Sequence, residues 1–249
     1  MTRPFPAATK HRDLAEIFPG VHFVTGTVTM GPMLTTTRNM VAVVEGDRVV
    51  LVNSIRLNDQ GLAQLDQLGR VTDVIRLAGF HGMDDPFYKD RYDAKIWGLP
   101  GMSYQRKFKA AKSSAKNSDK PYFEADAELT ENDSPLPAAS LYTFGTRPPE
   151  GVLVLPQEGG ILVAGDSLQN WRETNALWSL PAKLTMRALG FVKPYNLGPG
   201  WIRAARPTLP KIQGILDLTF EHLLPAHGEA VLGDAKQKYR KTIEAFAAQ

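Results

Sequence analysis

The order in which apolar runs and turn residues alternate constrains this chain's fold more than any other feature. Short β-type runs followed by helical spacing occupy residues 21–92, and a second series in the same order occupies residues 122–248. Each β-type run can bury a sheet face, and each amphipathic helix needs a sheet to cover. Two sheets packed face to face with helices outside, a four-layer αββα sandwich, satisfy both halves. The chain is therefore read as α/β in the α+β sense. A doubly wound parallel sheet is excluded, because it needs strict strand–helix alternation and a glycine-rich first turn.

In the first series, residues 21–30 alternate and are rich in β-branched side chains. Residues 40–44 and 49–53 follow as a hairpin, split by Glu45-Gly46-Asp47. Asn58 is placed to cap a helix over 59–68, with Leu62, Leu65 and Leu68 on one stripe and Gly69 at its end. An apolar strand over 71–77 leads into a turn over 78–85. Pro86 opens one or two helical turns to residue 92, and 94–97 is a short strand. Residues 98–137 are less regular, with an edge strand expected over 122–129. The second series has strands at 141–144, 152–155 and 161–164, the last two joined by Gln157-Glu158-Gly159-Gly160. Helices are expected over 181–189, 209–220 and 233–248. The Gly- and Pro-rich stretch 196–210 reads as a loop. A short strand over 222–225 delivers Ala226-His227-Gly228.

Three segments place polar groups just past apolar strands: His81, Asp84 and Asp85 after 71–77, Asp166 after 161–164, and His227 after 222–225. Side chains at strand ends line a common sheet edge, where sites are built. Composition now matters. The chain has no cysteine and five histidines, so a metal can be held only by imidazole and carboxylate. Those donors suit one divalent Zn, Fe or Mn. Each residue also has a plain role available. His81 can be a hydrogen-bonded turn residue, one of Asp84 and Asp85 can cap the following helix, and Asp166 can accept backbone N–H bonds. His222 reads as core or surface. Trp171, Trp178, Trp201 and Tyr195 either line a pocket mouth or pack in the core.

The segment from Gly159 to Leu168 (GGILVAGDSL) resembles the "GGxLxxGDxL" hairpin of the metallo-β-lactamase superfamily, and 222–228 (HLLPAHG) resembles its "LLPGHG" segment. The strand over 71–77 with His81 stands where that family carries "HxHxDH". Leu68-Gly69-Arg70-Val71, His81, Tyr92-Asp93-Ala94-Lys95 and Leu99-Pro100-Gly101 are similar to a divergent branch of the same superfamily. The likeness runs from about residue 20 to 235. It implies the αββα sandwich in one domain over residues 1–249, with an irregular basic insertion around 102–120. It also implies that Asp166 and His227 face metal.

The same resemblance implies a reduced site. Whichever histidine of the motif His81 represents, at least two of the motif's ligands are missing, and Arg147 stands where a further histidine belongs. A guanidinium has no lone pair to donate. His81, Asp84 or Asp85, Asp166 and His227 therefore make at most four ligands, enough for one metal and too few for a two-metal clamp. Arg147 is assigned the vacated position. There it would pair with Asp166 or Asp84 and act with Asp166 in catalysis by polarising a carbonyl or steadying an oxyanion.

Two functions follow. The first is a reduced hydrolase with one metal, acting on an ester, thioester, lactone or amide. The alternative is a non-catalytic protein that keeps the fold, with no metal and a small-ligand pocket. Either way the expected partner is a small molecule. Nucleic acid is not expected. The basic residues Arg106, Lys107, Lys109, Lys112, Lys116 and Lys120 are local, whereas nucleic-acid binding needs a wider basic face interleaved with aromatics. No membrane partner is expected, since no stretch approaches the ~20 apolar residues of a span. The first residues carry no continuous apolar run of the signal type, so a cytoplasmic location is expected.

Overall fold

A computed structural model describes residue 5 and residues 7–103 and 123–248. The basic run at 106–120 lies outside the described residues. The first strand series forms β1 (Ala15–Phe18), β2 (Val21–Thr29), β3 (Thr35–Glu45) and β4 (Arg48–Val52). Helix α1 (Asp59–Leu68), β5 (Arg70–Arg76), α2 (Asp85–Tyr92), β6 (Lys95–Gly98) and β7 (Ala127–Glu128) follow. These seven strands lie in sequence order in one sheet. The first four are antiparallel; from β4 onward the pairing is parallel, with α1 and α2 bridging the first two parallel steps.

The second series gives β8 (Ser140–Thr143), β9 (Gly151–Leu155), β10 (Ile161–Ala164), β11 (Leu168–Gln169) and α3 (Leu180–Ala188). Then come β12 (Asn196–Leu197), α4 (Pro199–Ala205), α5 (Leu209–Gln213), β13 (His222–Pro225) and α6 (Ala235–Ala247). A four-stranded sheet has the order β13-β10-β9-β8, and β11 and β12 form a small ribbon.

Strand alternation builds the layers. Val41, Val43, Val50 and Val52 of the first sheet meet Leu153, Leu155, Ile161 and Val163 of the second in one core. Their neighbours Met40, Ala42, Val49 and Leu51 pack outward under Leu62, Leu65, Phe87 and Tyr88 of α1 and α2. On the far side Val152, Val154, Leu162 and Ala164 lie under Trp201, Ile212, Tyr239 and Ile243 of α4–α6. Sheets covered on both faces explain why these strands read as unbroken apolar runs. This is the expected four-layer sandwich.

Three local readings are corrected. Residues 196–210 are not a loop: they contain β12 and α4. Pro199 starts that helix, where its missing N–H removes no helical bond. Trp201 buries the inner face. The helix expected over 209–220 is α-helical only to Gln213 and tightens to 3₁₀ geometry through Asp217. The Tyr142 hydroxyl lies against Gly214 at that junction, leaving no room for a β-carbon. Asp84 sits at the N-cap of α2, but its side chain does not cap the helix.

Candidate metal centre

Sheet register brings the polar strand ends together. β10 and β13 pair in parallel with Ala164 opposite Pro225, so Asp166 and His227, each two residues further on, emerge at the same end of one sheet. The other sheet is stitched to that end. The Leu77 carbonyl accepts from the Gly151 amide at 2.9 Å, and the Gly79 amide donates to the Pro149 carbonyl at 2.9 Å. The turn after β5 then presents His81 to the same place.

His81, Asp166 and His227 converge, with one potential ligand atom from each within 4.8 Å of the others. The two Nε2 atoms are 3.2 Å apart. His227 Nε2 lies 3.1 Å from Asp166 Oδ1, and His81 Nε2 lies 3.5 Å from Asp166 Oδ2. His227 Nδ1 is 3.2 Å from the Thr37 carbonyl, which can only accept, so that nitrogen carries the hydrogen. In the neutral ring, Nε2 then faces Asp166 and His81 with a lone pair. His81 Nδ1 and Asp166 Oδ2 are buried without a hydrogen-bond partner. Two readings reconcile these atoms: His81 carries its hydrogen on Nε2 and donates into the cluster, or a metal ion accepts the lone pairs of both imidazoles and Asp166.

The spacing is within reach of one metal. Ligands about 2.0–2.1 Å from a tetrahedral ion lie about 3.3–3.4 Å from one another; the imidazole nitrogens are 3.2 Å apart, and they approach different oxygens of Asp166, at 3.1 Å (Oδ1) and 3.5 Å (Oδ2). Burial alone would raise the Asp166 carboxyl. The charge of His81 and hydrogen bonds to both imidazoles outweigh it and hold the group well below the usual carboxylate range. For His81 burial decides, and it lowers the imidazole despite the opposing pull of Asp166. That pull on Asp166 uses the imidazoles as donors; a divalent ion at the centre would take the place of their hydrogens and pair with the ionised carboxylate instead.

The surroundings hold the ligands in place. The Asn39 side chain donates from Nδ2 to the Pro225 carbonyl at 2.8 Å and the Gly228 carbonyl at 2.7 Å, clamping the His227 loop from both sides. The Trp171 ring packs on His227 with centroids 5.0 Å apart. Trp171 and Trp178 both donate to Thr37 Oγ1, at 3.3 and 3.2 Å. These two tryptophans therefore wall the centre. Trp201 belongs to the core beneath α4 and α6, and Tyr195 stacks edge-on with Tyr239.

The remaining sequence candidates fall elsewhere. Asp84 is 1% exposed and accepts from the guanidinium of Arg38 and, at 2.8 Å, from the Arg56 amide. Asp85 accepts from Ser54 Oγ at 2.6 Å. Neither is part of the three-residue group; the guanidinium that pairs with Asp84 lies near enough to His81 to disfavour its protonation. Arg147 is exposed, and among the described residues no ion pair links it to Asp166 or Asp84. The cation that meets Asp84 is Arg38, a residue that sequence reasoning missed although an arginine amid the uncharged residues 35–44 was the signal.

Glu150 was missed as well. It is fully buried behind the Asp166 turn, where Oε1 accepts from the Ser167 amide at 2.8 Å and Oε2 has no partner. Burial, reinforced by the negative charge of Asp166, pushes its carboxyl well above the usual range.

No protein-family model matches the sequence, and no curated protein does. Solved structures do match over nearly the whole chain. VMB-1 aligns with a TM-score of 0.63 at 14% identity, covering 97% of this chain and 100% of that one. The metallo-β-lactamase FIM-1 from Pseudomonas aeruginosa, in its mono-zinc form, aligns at 0.60 and 16%, covering 98% and 99%. A metallo-β-lactamase from Erythrobacter litoralis aligns at 0.56 and 13%, covering 93% and 92%. The chain has the metallo-β-lactamase fold. Among the described residues no helix is long and apolar enough to cross a membrane.

Proposed function

We propose that the protein is a hydrolase working with a single divalent metal, Zn, Fe or Mn, held by His81, Asp166 and His227. The observation that carries this reading is the convergence of three potential ligand groups: the two Nε2 atoms are 3.2 Å apart, and each approaches a different oxygen of Asp166, at 3.1 and 3.5 Å. Three protein ligands leave a position open, as catalytic sites require and closed structural sites do not. A metal in that setting supplies water activation at neutral pH and polarisation of a carbonyl. The substrate class that suits this chemistry is an ester, thioester, lactone or amide.

The chain's own residues supply the rest. The Thr37 carbonyl fixes the His227 tautomer, so that Nε2 faces the centre. Asn39 holds the loop that carries it, and Trp171 keeps water from one side of the ring. Asp84 and Asp85 serve the scaffold. Arg147 is given no part, since it is exposed and among the described residues no ion pair ties it to Asp166 or Asp84.

Elemental analysis of protein purified without added metal tests the reading. About one equivalent of Zn, Fe or Mn is expected, lost in His227→Ala together with any esterase, thioesterase, lactonase or amidase activity. Metal-free protein whose melting temperature is unmoved by added Zn or Mn would sink it. The centre would then hold a proton, and the chain would be a non-catalytic relative in fold.

A further inference from the structure

Helix α3 is apolar on two opposite faces. Ala182 and Met186 point inward and pack with Trp171 and Trp178. Leu180 and Leu184, one turn apart and opposite that pair, are 68% and 62% exposed. Leu189 follows at the C-terminal end, also exposed. The tip of the β2–β3 hairpin extends the patch, with Met30 exposed and Met33 75% exposed. The two segments are tied together: Ser179 Oγ donates to the Met33 carbonyl at 2.6 Å and accepts from the Thr35 amide at 3.1 Å. Five of the seven large exposed apolar side chains among the described residues thus belong to these two joined segments. A clustered patch of this kind marks an interaction surface, whereas scattered single residues do not.

Charge selects the partner. No Asp or Glu occurs between Glu173 and Asp217, or between Glu16 and Glu45. Lys183 and Arg187 flank the leucine stripe on α3, and Lys193 follows it. Exposed leucine and methionine with Lys183 and Arg187 beside them, and no acid within either segment, match a surface that is apolar beneath and anionic above. A nucleic acid would favour aromatics over leucines. We propose that α3 and the β2–β3 tip dock on an anionic lipid surface. The helix lies in the interface plane and spans nothing: it has nine residues, with Pro181 near its start and Gly190 just past its end. The docking face lies two side-chain layers from the metal centre, because α3 packs on Trp171 and Trp171 packs on His227. The proposal uses no metal, so it stands or falls separately from the hydrolase reading.

Co-sedimentation of the full-length protein with phosphatidylcholine vesicles, with and without phosphatidylserine, is the test. Binding is expected only with phosphatidylserine and should weaken as salt is raised. Leu184→Asp and, independently, Leu180→Asp should each reduce partitioning at least about tenfold. Lys183→Glu or Arg187→Glu should reduce it about fivefold or more. All four positions face solvent wholly or in part, so unchanged melting temperatures are expected alongside. Absence of vesicle binding overturns the proposal, as does equal binding to neutral vesicles or binding that survives both leucine variants. A dimer dissolved by Leu184→Asp, in a protein that ignores vesicles, assigns the patch to a second copy and overturns it too.

Discussion

Asn39 decides how firmly His227 is held. Its amide nitrogen satisfies two buried carbonyls, Pro225 and Gly228, on either side of the ligand. Asn39→Ala leaves both without a donor, a loss of about 2–3 kcal/mol by the usual penalty for unmade buried bonds. Urea unfolding checks the stability term. The metal affinity of the folded variant, followed by calorimetric titration, should fall as well, since Asn39 orients the loop that carries His227. A variant that binds as tightly as the parent would reduce Asn39 to a structural brace.

Arg38 and Asp84 pose a different residue-scale question, because both are buried and paired. Removing one partner of such a pair leaves an uncompensated charge. Arg38→Met is expected to lose about 3–5 kcal/mol, and the double variant Arg38→Met/Asp84→Asn markedly less. Additive losses in denaturant titrations would contradict the pairing. His81, Asp166 and His227 were legible because each closely follows an apolar run. Arg38 and Glu150 were not, because their importance lies in contacts to Asp84 and Ser167 that only the folded sheets create.

Among elements, the ones read correctly carry their own punctuation. For α1, Asn58 Oδ1 accepts from the Gly61 amide at 2.9 Å, Leu62 and Leu65 are buried, and Gly69 follows the last turn. The β9–β10 hairpin likewise shows its turn in sequence. α4 was hidden because Pro199 and Gly200 inside its first turn look like loop residues. β1, β11 and β12 run to four residues or fewer, too short for alternation to show. The element most exposed to a single change is the turn after β13. Gly228 has φ +97°, and a β-carbon there would run into the backbone of Asn170. The Asn170 amide in turn donates to the His227 carbonyl at 2.9 Å. Gly228→Ala should therefore push the His227 loop off the 168–170 segment, losing more than about 2 kcal/mol of stability and the metal site together. Retention of one equivalent of metal by a stably folded Gly228→Ala protein would show that the loop tolerates the shift.

At the scale of the whole molecule, the sandwich itself was legible, because two strand series with helices after each leave few ways to bury every apolar face. What the sequence could not display is the division of the candidate ligands between the sheets. His81 comes from the turn after the seven-stranded sheet's β5, while Asp166 and His227 come from the four-stranded sheet. A metal bound by all three would cross-link the two halves, and an ion that binds only the folded chain stabilises it by mass action. At a hundredfold excess over Kd that is about 2.7 kcal/mol. A chain of this size gains roughly 2–4 °C per kcal/mol, so Zn or Mn added after chelator treatment should raise the melting temperature by about 5–10 °C. His81→Ala removes the only ligand from the first sheet and should abolish most of that rise. The metal-free variant should melt below the metal-free parent, since His81 Nε2 loses its contacts with His227 and Asp166, so the rise on adding metal is compared within each protein. Scanning calorimetry of both proteins, with chelator and then with metal, reads the difference directly. An equal rise in parent and variant would mean that the ion sits on Asp166 and His227 alone, and that the two sheets are not joined through it.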